Sequence, residues 1–318
     1  MKAAYIENTG LYDQIKIGNL AIPEVKPTDV LIKVNYVSVN HVDTFVRAGG
    51  FKTDLEFPFV IGRDAIGTVK EVGKEVKNFK IGDKVWTNSM GYDGRKGISS
   101  EFAAVPNNRL LKAPDVDEKQ LIASVHSSAT AQILLTSILR VQSDKKILIE
   151  GAAGHVGTKL VQIGKILGLS ITTTSNSRDF DRLKKLGSSQ LIDYHQNVSE
   201  IKNMFDYIID TSGKVSLNDN LHLLNLYGQI GMITAPKDNH FSFDVREFYT
   251  GSKSIKSFVI SHASLEQLQI AGGALNEYFR SGKLLDDEVL ELPLEKAGEA
   301  HKMLEEGSDH GKRIILRI

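Results

Sequence analysis

A short apolar run, Ile147-Leu148-Ile149, is followed almost at once by Gly151, Gly154 and Gly157, and then by an amphipathic stretch over residues 156–167. No other feature restricts the fold of this chain so strongly. A strand that runs into glycines three apart and then into a helix is the opening of a βαβ unit. Each glycine has its own reason. Gly151 permits the tight turn out of the strand, Gly154 lets the backbone approach a bound pyrophosphate, and Gly157 lets the helix lie close to the sheet. Ala153, His155 and Val156 complete the turn and bring backbone N–H groups to the helix start, where they face phosphates; for His155 the N–H matters more than the ring. The segment predicts a dinucleotide site. Taken alone, the string also fits a glycine-rich turn without a ligand.

The surroundings extend the βα rhythm. Strands are expected at residues 171–174, 191–192, 207–209 and 229–233, with a helix at 179–186, which together predict a parallel sheet covered on both faces. Residues 118–140 carry apolar positions at helical spacing. Residues 1–110 are different in kind: 30–39 alternate apolar and polar, 65–72 and 84–87 read as strands, and Gly62, Gly67, Gly73 and Gly82 mark turns. That pattern predicts a small antiparallel, barrel-like domain. Helices are expected again at 265–280 and 294–305. A terminal strand at 313–318 implies that the chain returns to the first domain. The expected division is 1–120 with 265–318, and 121–264.

The strand after the glycine turn bears on the choice of cofactor. An NAD site places an acid about 20 residues after the first glycine, on the ribose 2′-hydroxyl. Here the strand ends in Thr173-Thr174-Ser175-Asn176-Ser177-Arg178, and the first carboxylate is Asp179. Ser175 and Arg178 can instead hold a 2′-phosphate, so NADPH is expected over NADH. The alternative for Arg178 is a solvated residue at a helix start.

Composition excludes several classes. Lysine plus arginine equals aspartate plus glutamate, at 39 each, so bulk charge does not favour a nucleic-acid partner. Among the 318 residues there is no cysteine, which rules out disulfides, thiolate zinc sites and a cysteine nucleophile. The first residues do not resemble a signal peptide, and no stretch is expected to reach the length of about 18 apolar residues needed for a membrane span. The chain therefore reads as cytoplasmic, with no membrane partner.

A resemblance becomes visible when the motifs are taken in order: VSVNHVD (37–43), PFVIGRDAIG (58–67), Val72-Gly73, FKIGDKV (79–85), the glycine turn, Leu186-Gly187 before Ile192-Asp193-Tyr194, and Gly311-Lys312 before the final strand. The chain resembles the medium-chain dehydrogenase/reductase superfamily, specifically its zinc-independent quinone oxidoreductase-like branch. The resemblance implies an α/β chain in which a Rossmann doubly wound parallel sheet is inserted into a GroES-like, mostly antiparallel β catalytic domain. It implies a homodimer or homotetramer that transfers hydride from NADPH to a small-molecule quinone or α,β-unsaturated carbonyl. Zinc-dependent relatives carry Gly-His-Glu where this chain has Gly62-Arg63-Asp64. An arginine is no ligand and the cysteines are absent, so no metal is expected. Without that Lewis acid, simple alcohol oxidation is disfavoured and a conjugated acceptor suits the site better.

Candidate site residues follow from the same resemblance. Asn40 either hydrogen-bonds the nicotinamide ribose or substrate oxygen, or makes an Asx turn at a strand end. Asp43 reads as structural, and His41 as a turn histidine facing solvent. Phe45 and Phe51 stand where some members of the branch place tyrosines, which leaves the proton donor open. Arg63 and Arg47 can put positive charge near a developing oxyanion or serve in packing, and Tyr92 is a further candidate donor. Thr130 matches a nicotinamide contact or bonds its own helix, Tyr194 an adenine-side or 2′-phosphate contact, and Lys312 a C-terminal contact. Gly213 and Thr234 are expected at strand ends, where ligands of open α/β sheets collect. An enoyl-thioester reductase and a non-catalytic NADPH-binding regulatory protein are the alternative functions.

Overall fold

In the computed structural model, residues 1–51, 53–196 and 201–318 are described. The chain forms two compact units, Met1–His126 with Ala263–Ile318, and Ser127–His262. In chain order, the first unit opens with β1 (Lys2–Ile6), β2 (Lys16–Asn19), β3 (Asp29–Val39), α1 (His41–Ala48), β4 (Phe59–Val60), β5 (Asp64–Val72), β6 (Lys84–Thr87), β7 (Phe102–Pro106) and β8 (Leu110–Lys112). Helix α2 (Glu118–Ile133) leads into the second unit. There follow β9 (Lys146–Glu150), α3 (His155–Ile166), β10 (Ser170–Ser175), α4 (Phe180–Leu186), β11 (Gln190–Asp193), β12 (Phe205–Asp210), α5 (Leu217–His222), β13 (Leu224–Met232), α6 (Val245–Thr250) and β14 (Ser254–Ser257). The chain returns through α7 (Leu265–Arg280), β15 (Val289–Pro293), α8 (Ala297–Glu306) and β16 (Arg313–Arg317).

In the first unit β3 is the hub, pairing antiparallel with β5, β7 and β16. The pairing of β16 with β3 carries out the expected return of the C-terminus. One pair departs from the antiparallel pattern: β15 lies parallel to β16, because α8 connects them as a crossover. The core is built from alternate strand positions such as Val30, Ile32 and Val34 with Val85, Val105 and Leu316. Asn276 ties the C-terminal segment to it twice: Trp86 Nε1 donates to Asn276 Oδ1 at 3.0 Å, and Asn276 Nδ2 donates to the Lys112 carbonyl at 2.9 Å.

The second unit holds a six-stranded parallel sheet in the order β11-β10-β9-β12-β13-β14. The chain reverses its direction of travel across the sheet between β9 and β12, the place where open α/β sheets bind ligands. One face carries Leu148, Ile208 and Ile230 against Leu217 and Leu221 of α5. The other receives α3, where a Cβ on Gly164 would meet Ile171 at 3.2 Å. Both faces are covered, as the long apolar strands require.

Three local expectations are corrected. The helical stretch 118–140 is α-helical only to Ile133 and then opens into a π-helical turn, Leu134–Ile138. The widened turn lets Leu134 and Leu139 both reach Gly231 on the sheet, where a Cβ would stand 3.4 and 3.1 Å from them. Glu118–Ile138 is also long and apolar enough to cross a membrane by length and composition, contrary to the expectation that no segment is; 83% of its most apolar window is buried inside the fold, which accounts for its apolarity. Finally, Asn40 and His41 begin a helix, not a turn. Asn40 caps α1 in an extended conformation, and its backbone N–H donates to Asp43 Oδ2 at 2.7 Å, the structural role expected of Asp43.

Candidate functional site

In the second unit, β9 ends at Glu150 and the chain turns through Gly151, whose φ of +66° lies in the left-handed region that disfavours other residues. Thr211, just past β12, ties the turn down: its hydroxyl donates to the carbonyls of Glu150 and Gly151 at 2.8 and 3.0 Å. Gly157 is packed so tightly that a Cβ would lie 2.7 Å from backbone atoms of Gly151 and Ala152. Gly154 is the opposite case. It caps α3, and a Cβ there would approach only the Gly151 carbonyl, at 3.3 Å. The space in front of it is open, at a helix start whose N–H groups carry partial positive charge. That is the shape and polarity a pyrophosphate needs, so these residues fit a dinucleotide. Ala153, His155 and Val156 are partly exposed around the same turn.

Other predicted residues gather at neighbouring strand ends. Ser175 ends β10, and its buried hydroxyl donates to the Asn176 carbonyl at 3.1 Å. Tyr194 follows β11, donates its N–H to the Ser175 carbonyl at 3.1 Å, and leaves its ring largely exposed beside His195. The Arg178 side chain is 83% exposed, with Nε 3.7 Å from Asp179. Gly213, with φ +64°, and Thr234 lie just past β12 and β13 and together line a small cavity with Asp210 and Asn220. Thr130 is buried on α2. Lys312 sits in the first unit, where its ammonium pairs with Glu288 at 3.0 Å.

Glu150 was not anticipated. It is fully buried beside the turn, and burial, aided by the charge of Asp210, pushes its pKa up to about 8. Asn220 Nδ2 donates to Glu150 Oε2 at 2.8 Å. The signal in the sequence was a carboxylate at the end of an otherwise apolar strand.

In the first unit a second group of polar side chains is buried around β5. Asp64 is its centre. Asp64 Oδ1 accepts from the Ser89 N–H at 2.8 Å, while Oδ2 accepts from Asn40 Nδ2 at 3.1 Å and lies 2.8 Å from His126 Nδ1. Asn40 Nδ2 also reaches Ser38 Oγ at 3.0 Å. Arg63 is 1% exposed, and its guanidinium lies 5.5 Å from the centre of the Tyr92 ring. Tyr92 meets Phe51 edge to face at 5.9 Å, and Phe51 meets Phe45 at 6.4 Å. Burial, with the nearby charge of Asp64, pushes Asp43 up to about 7. Asn40, Arg63 and Tyr92 are thus brought into one cluster. Arg47 is not part of it: it is buried and held by Glu305. Sequence reasoning passed over Asp64 and His126, whose partnership spans 62 residues. Among the described residues no three His, Asp or Glu side chains converge as a metal site.

Comparison with known proteins agrees with this architecture. The family model described as alcohol dehydrogenase GroES-like domain matches residues 26–115, and that described as zinc-binding dehydrogenase matches 156–271. A quinone oxidoreductase of Pongo abelii is 28% identical over 327 residues, covering 99% of this chain and 98% of its own. A 2-methylene-furan-3-one reductase of Solanum lycopersicum is 34% identical over 224 residues, covering 67% of this chain and 58% of its own. Among solved structures, the Escherichia coli quinone oxidoreductase complexed with NADPH superposes with a TM-score of 0.85 at 20% identity over the full length of both chains. With both family models matched in order and quinone oxidoreductases aligned over nearly its whole length, the chain belongs to the medium-chain dehydrogenase/reductase superfamily, in its zinc-independent quinone oxidoreductase-like branch.

Proposed function

We propose that this chain is an NADPH-dependent, zinc-independent reductase of quinones or α,β-unsaturated carbonyls. The observation that carries the reading is the open face of Gly154 at the start of α3, framed by Gly151 and Gly157. Its relatives by sequence include quinone oxidoreductases and a reductase of a conjugated ketone. The preference for NADPH rests on the end of β10. Ser175 stands where an acid would hold a ribose 2′-hydroxyl, and the exposed Arg178 is available to fold onto a 2′-phosphate. The nearest strand-end carboxylate, Asp193, is already engaged by the Ser177 N–H at 3.2 Å and by His195. Arg178→Ala is expected to weaken NADPH by about tenfold, the worth of one charge-assisted contact, and to leave NADH nearly unchanged. Fluorescence titration of both nucleotides checks this, and equal weakening would refute the 2′-phosphate assignment.

Bound reduced nicotinamide supplies a hydride to the electrophilic carbon of the acceptor. The first-unit cluster by itself offers two kinds of group that suit such chemistry. Negative charge develops on the acceptor oxygen, and the Arg63 guanidinium would provide positive charge for it, while the Asn40 amide, bonded to Ser38 and Asp64, holds the Asp64 carboxylate in place. A proton must follow, and Phe45 and Phe51 have none to give. The Asp64–His126 pair is suited to deliver it, because the buried Asp64 carboxylate, 2.8 Å from Nδ1, orients the imidazole. His126→Gln is expected to lower kcat by about ten- to a hundredfold, read as NADPH oxidation at saturating acceptor. An unchanged kcat would remove His126 from the reaction.

A further inference from the structure

The last residue of β9 is joined both to the glycine turn and to the interior of the second unit. Glu150 directly precedes Gly151. Its carbonyl accepts from the Thr211 N–H at 3.0 Å and from the Thr211 hydroxyl at 2.8 Å. The same hydroxyl lies 3.0 Å from the Gly151 carbonyl, which in turn accepts from the Gly154 N–H at 3.0 Å. A shift of Glu150 is therefore passed through Gly151 to the start of α3, where the pyrophosphate fits.

The Glu150 side chain is wholly buried and meets Asn220 of α5, whose Nδ2 donates to Oε2 at 2.8 Å. Among the described residues no donor reaches Glu150 Oε1, and none reaches the buried Asn220 Oδ1. A buried carboxylate needs several donors or a cation to stay ionised. This one has a single donor, and the charged groups acting on it, Asp210 of β12 and Asp219 of α5, are both acids. Asp210 is the better-served carboxylate of the two at the strand ends, because the Ser212 N–H and hydroxyl both donate to its Oδ1 at 2.7 Å. The proton therefore belongs on Glu150. It supplies the donor that a buried oxygen lacks and removes one charge beside two acids. Burial first, and then the charge of Asp210, push Glu150 up to about 8.

We propose that Glu150, with Asn220, is a proton-linked positioning residue for the cofactor: NADPH binds the form in which this carboxyl is neutral, and takes up a proton when it meets the ionised form. Ionisation places a negative charge beside the turn that receives the pyrophosphate, a group of the same sign. It also leaves a buried charge with one donor, and any movement that relieves it pulls on the Thr211 and Gly151 ties. The coupling is reciprocal, so bound NADPH raises the proton affinity of Glu150 by the factor by which the proton raises NADPH affinity. The inference rests on the dinucleotide reading of the turn and not on the identity of the acceptor.

Calorimetric titration of the whole protein with NADPH, without an acceptor, reads binding apart from turnover. It is done at pH 7 and pH 9, and at pH 8 in two buffers of different ionisation enthalpy. With a coupling of about tenfold, Kd is expected to rise about fivefold from pH 7 to pH 9. At pH 8 the buffer-dependent heat is expected to report uptake of about 0.4 of a proton. Glu150→Gln, which keeps a donor and an acceptor but cannot ionise, is expected to give nearly the same Kd at both pH values. His155 lies on the same turn, but its contribution is common to both proteins, so their difference isolates Glu150. Thermal melts at each pH verify folding, and the buffer comparison on the native protein needs no variant. If native Kd is unchanged between pH 7 and pH 9 and no proton is taken up, or if the pH dependence persists in folded Glu150→Gln, the proposal is overturned. If NADPH binds at neither pH, the dinucleotide reading of the turn fails and the proposal falls with it. If binding follows pH as expected but no acceptor oxidises NADPH, the coupling stands and the reductase reading fails.

Discussion

Aspartate in place of Gly154 is expected to leave the protein folded and to weaken NADPH binding by on the order of a hundredfold or more. The two halves of this expectation have separate causes. Gly154 has φ −73° and ψ 174°, an extended conformation open to any residue, and aspartate is among the best residues at a helix N-cap. A new Cβ would meet only the Gly151 carbonyl, at 3.3 Å. The fold therefore has no reason to object, and the melting temperature should hold or rise. The new carboxylate, however, points into the space that suits a pyrophosphate and cancels the positive end of α3. Two like charges a few ångströms apart in a partly excluded site cost several kcal/mol. Gly157→Ala is the contrasting variant: its Cβ would lie 2.7 Å from backbone atoms of Gly151 and Ala152, so stability and binding should fall together. Undiminished NADPH affinity in Gly154→Asp would separate this turn from the cofactor.

The second large effect concerns Glu150 and pH. Glu150 Oε1 and Asn220 Oδ1 are both buried acceptors without a partner among the described residues. One proton on the carboxyl satisfies both, because a neutral acid can donate to the amide oxygen while it accepts from the amide Nδ2 at 2.8 Å. The groups facing it are Asp210 on β12 and Asp219 on α5, both of which oppose ionisation. Its folded pKa of about 8 lies above the unfolded value of 4.5. A pKa raised by folding stabilises fully below the unfolded value, and that stability is lost as pH rises toward and through the folded one. Between pH ~5 and pH ~9 this single group should cost roughly 3–5 kcal/mol. Glu150→Gln keeps a donor and an acceptor in place at every pH. Urea denaturation at pH 5 and pH 9 should therefore show a steep loss in the native protein and a much smaller one in the variant. Parallel losses would mean that Glu150 is ionised in the fold.

How much of this was written in the sequence depends on the range of the interaction. The glycine turn was legible because strand, turn and helix are contiguous and each glycine answers a local constraint. The long apolar strands β3, β5, β9 and β12 were legible by pattern, and so was α7, whose Ser264 cap and Gln267 lie three residues apart at its start. Helix α1 was missed because Asn40 and Asp43 suit a strand-end turn as well as a helix cap. Strands β1, β2 and β8 are three to five residues long, too short for a period to show, and only their partners make them strands. The first-unit cluster was half legible. Asn40, Arg63 and Tyr92 stood out, but Asp64 and His126 lie 62 residues apart and nothing local pairs them. Glu150 carried a signal, an acid ending an apolar strand, but the stronger glycine pattern beside it masks that signal.

Hydride transfer from NADPH to a conjugated acceptor is read from absorbance at the reduced-nicotinamide band. The purified protein is mixed with NADPH, and a small quinone, a 2-alkenal and an enoyl thioester are added in turn. Acceptor-dependent oxidation of NADPH is expected with at least one of them, slowed in His126→Gln and lost in Gly154→Asp. Tight NADPH binding with no oxidation by any of the three would contradict it and leave a nucleotide-binding protein without turnover.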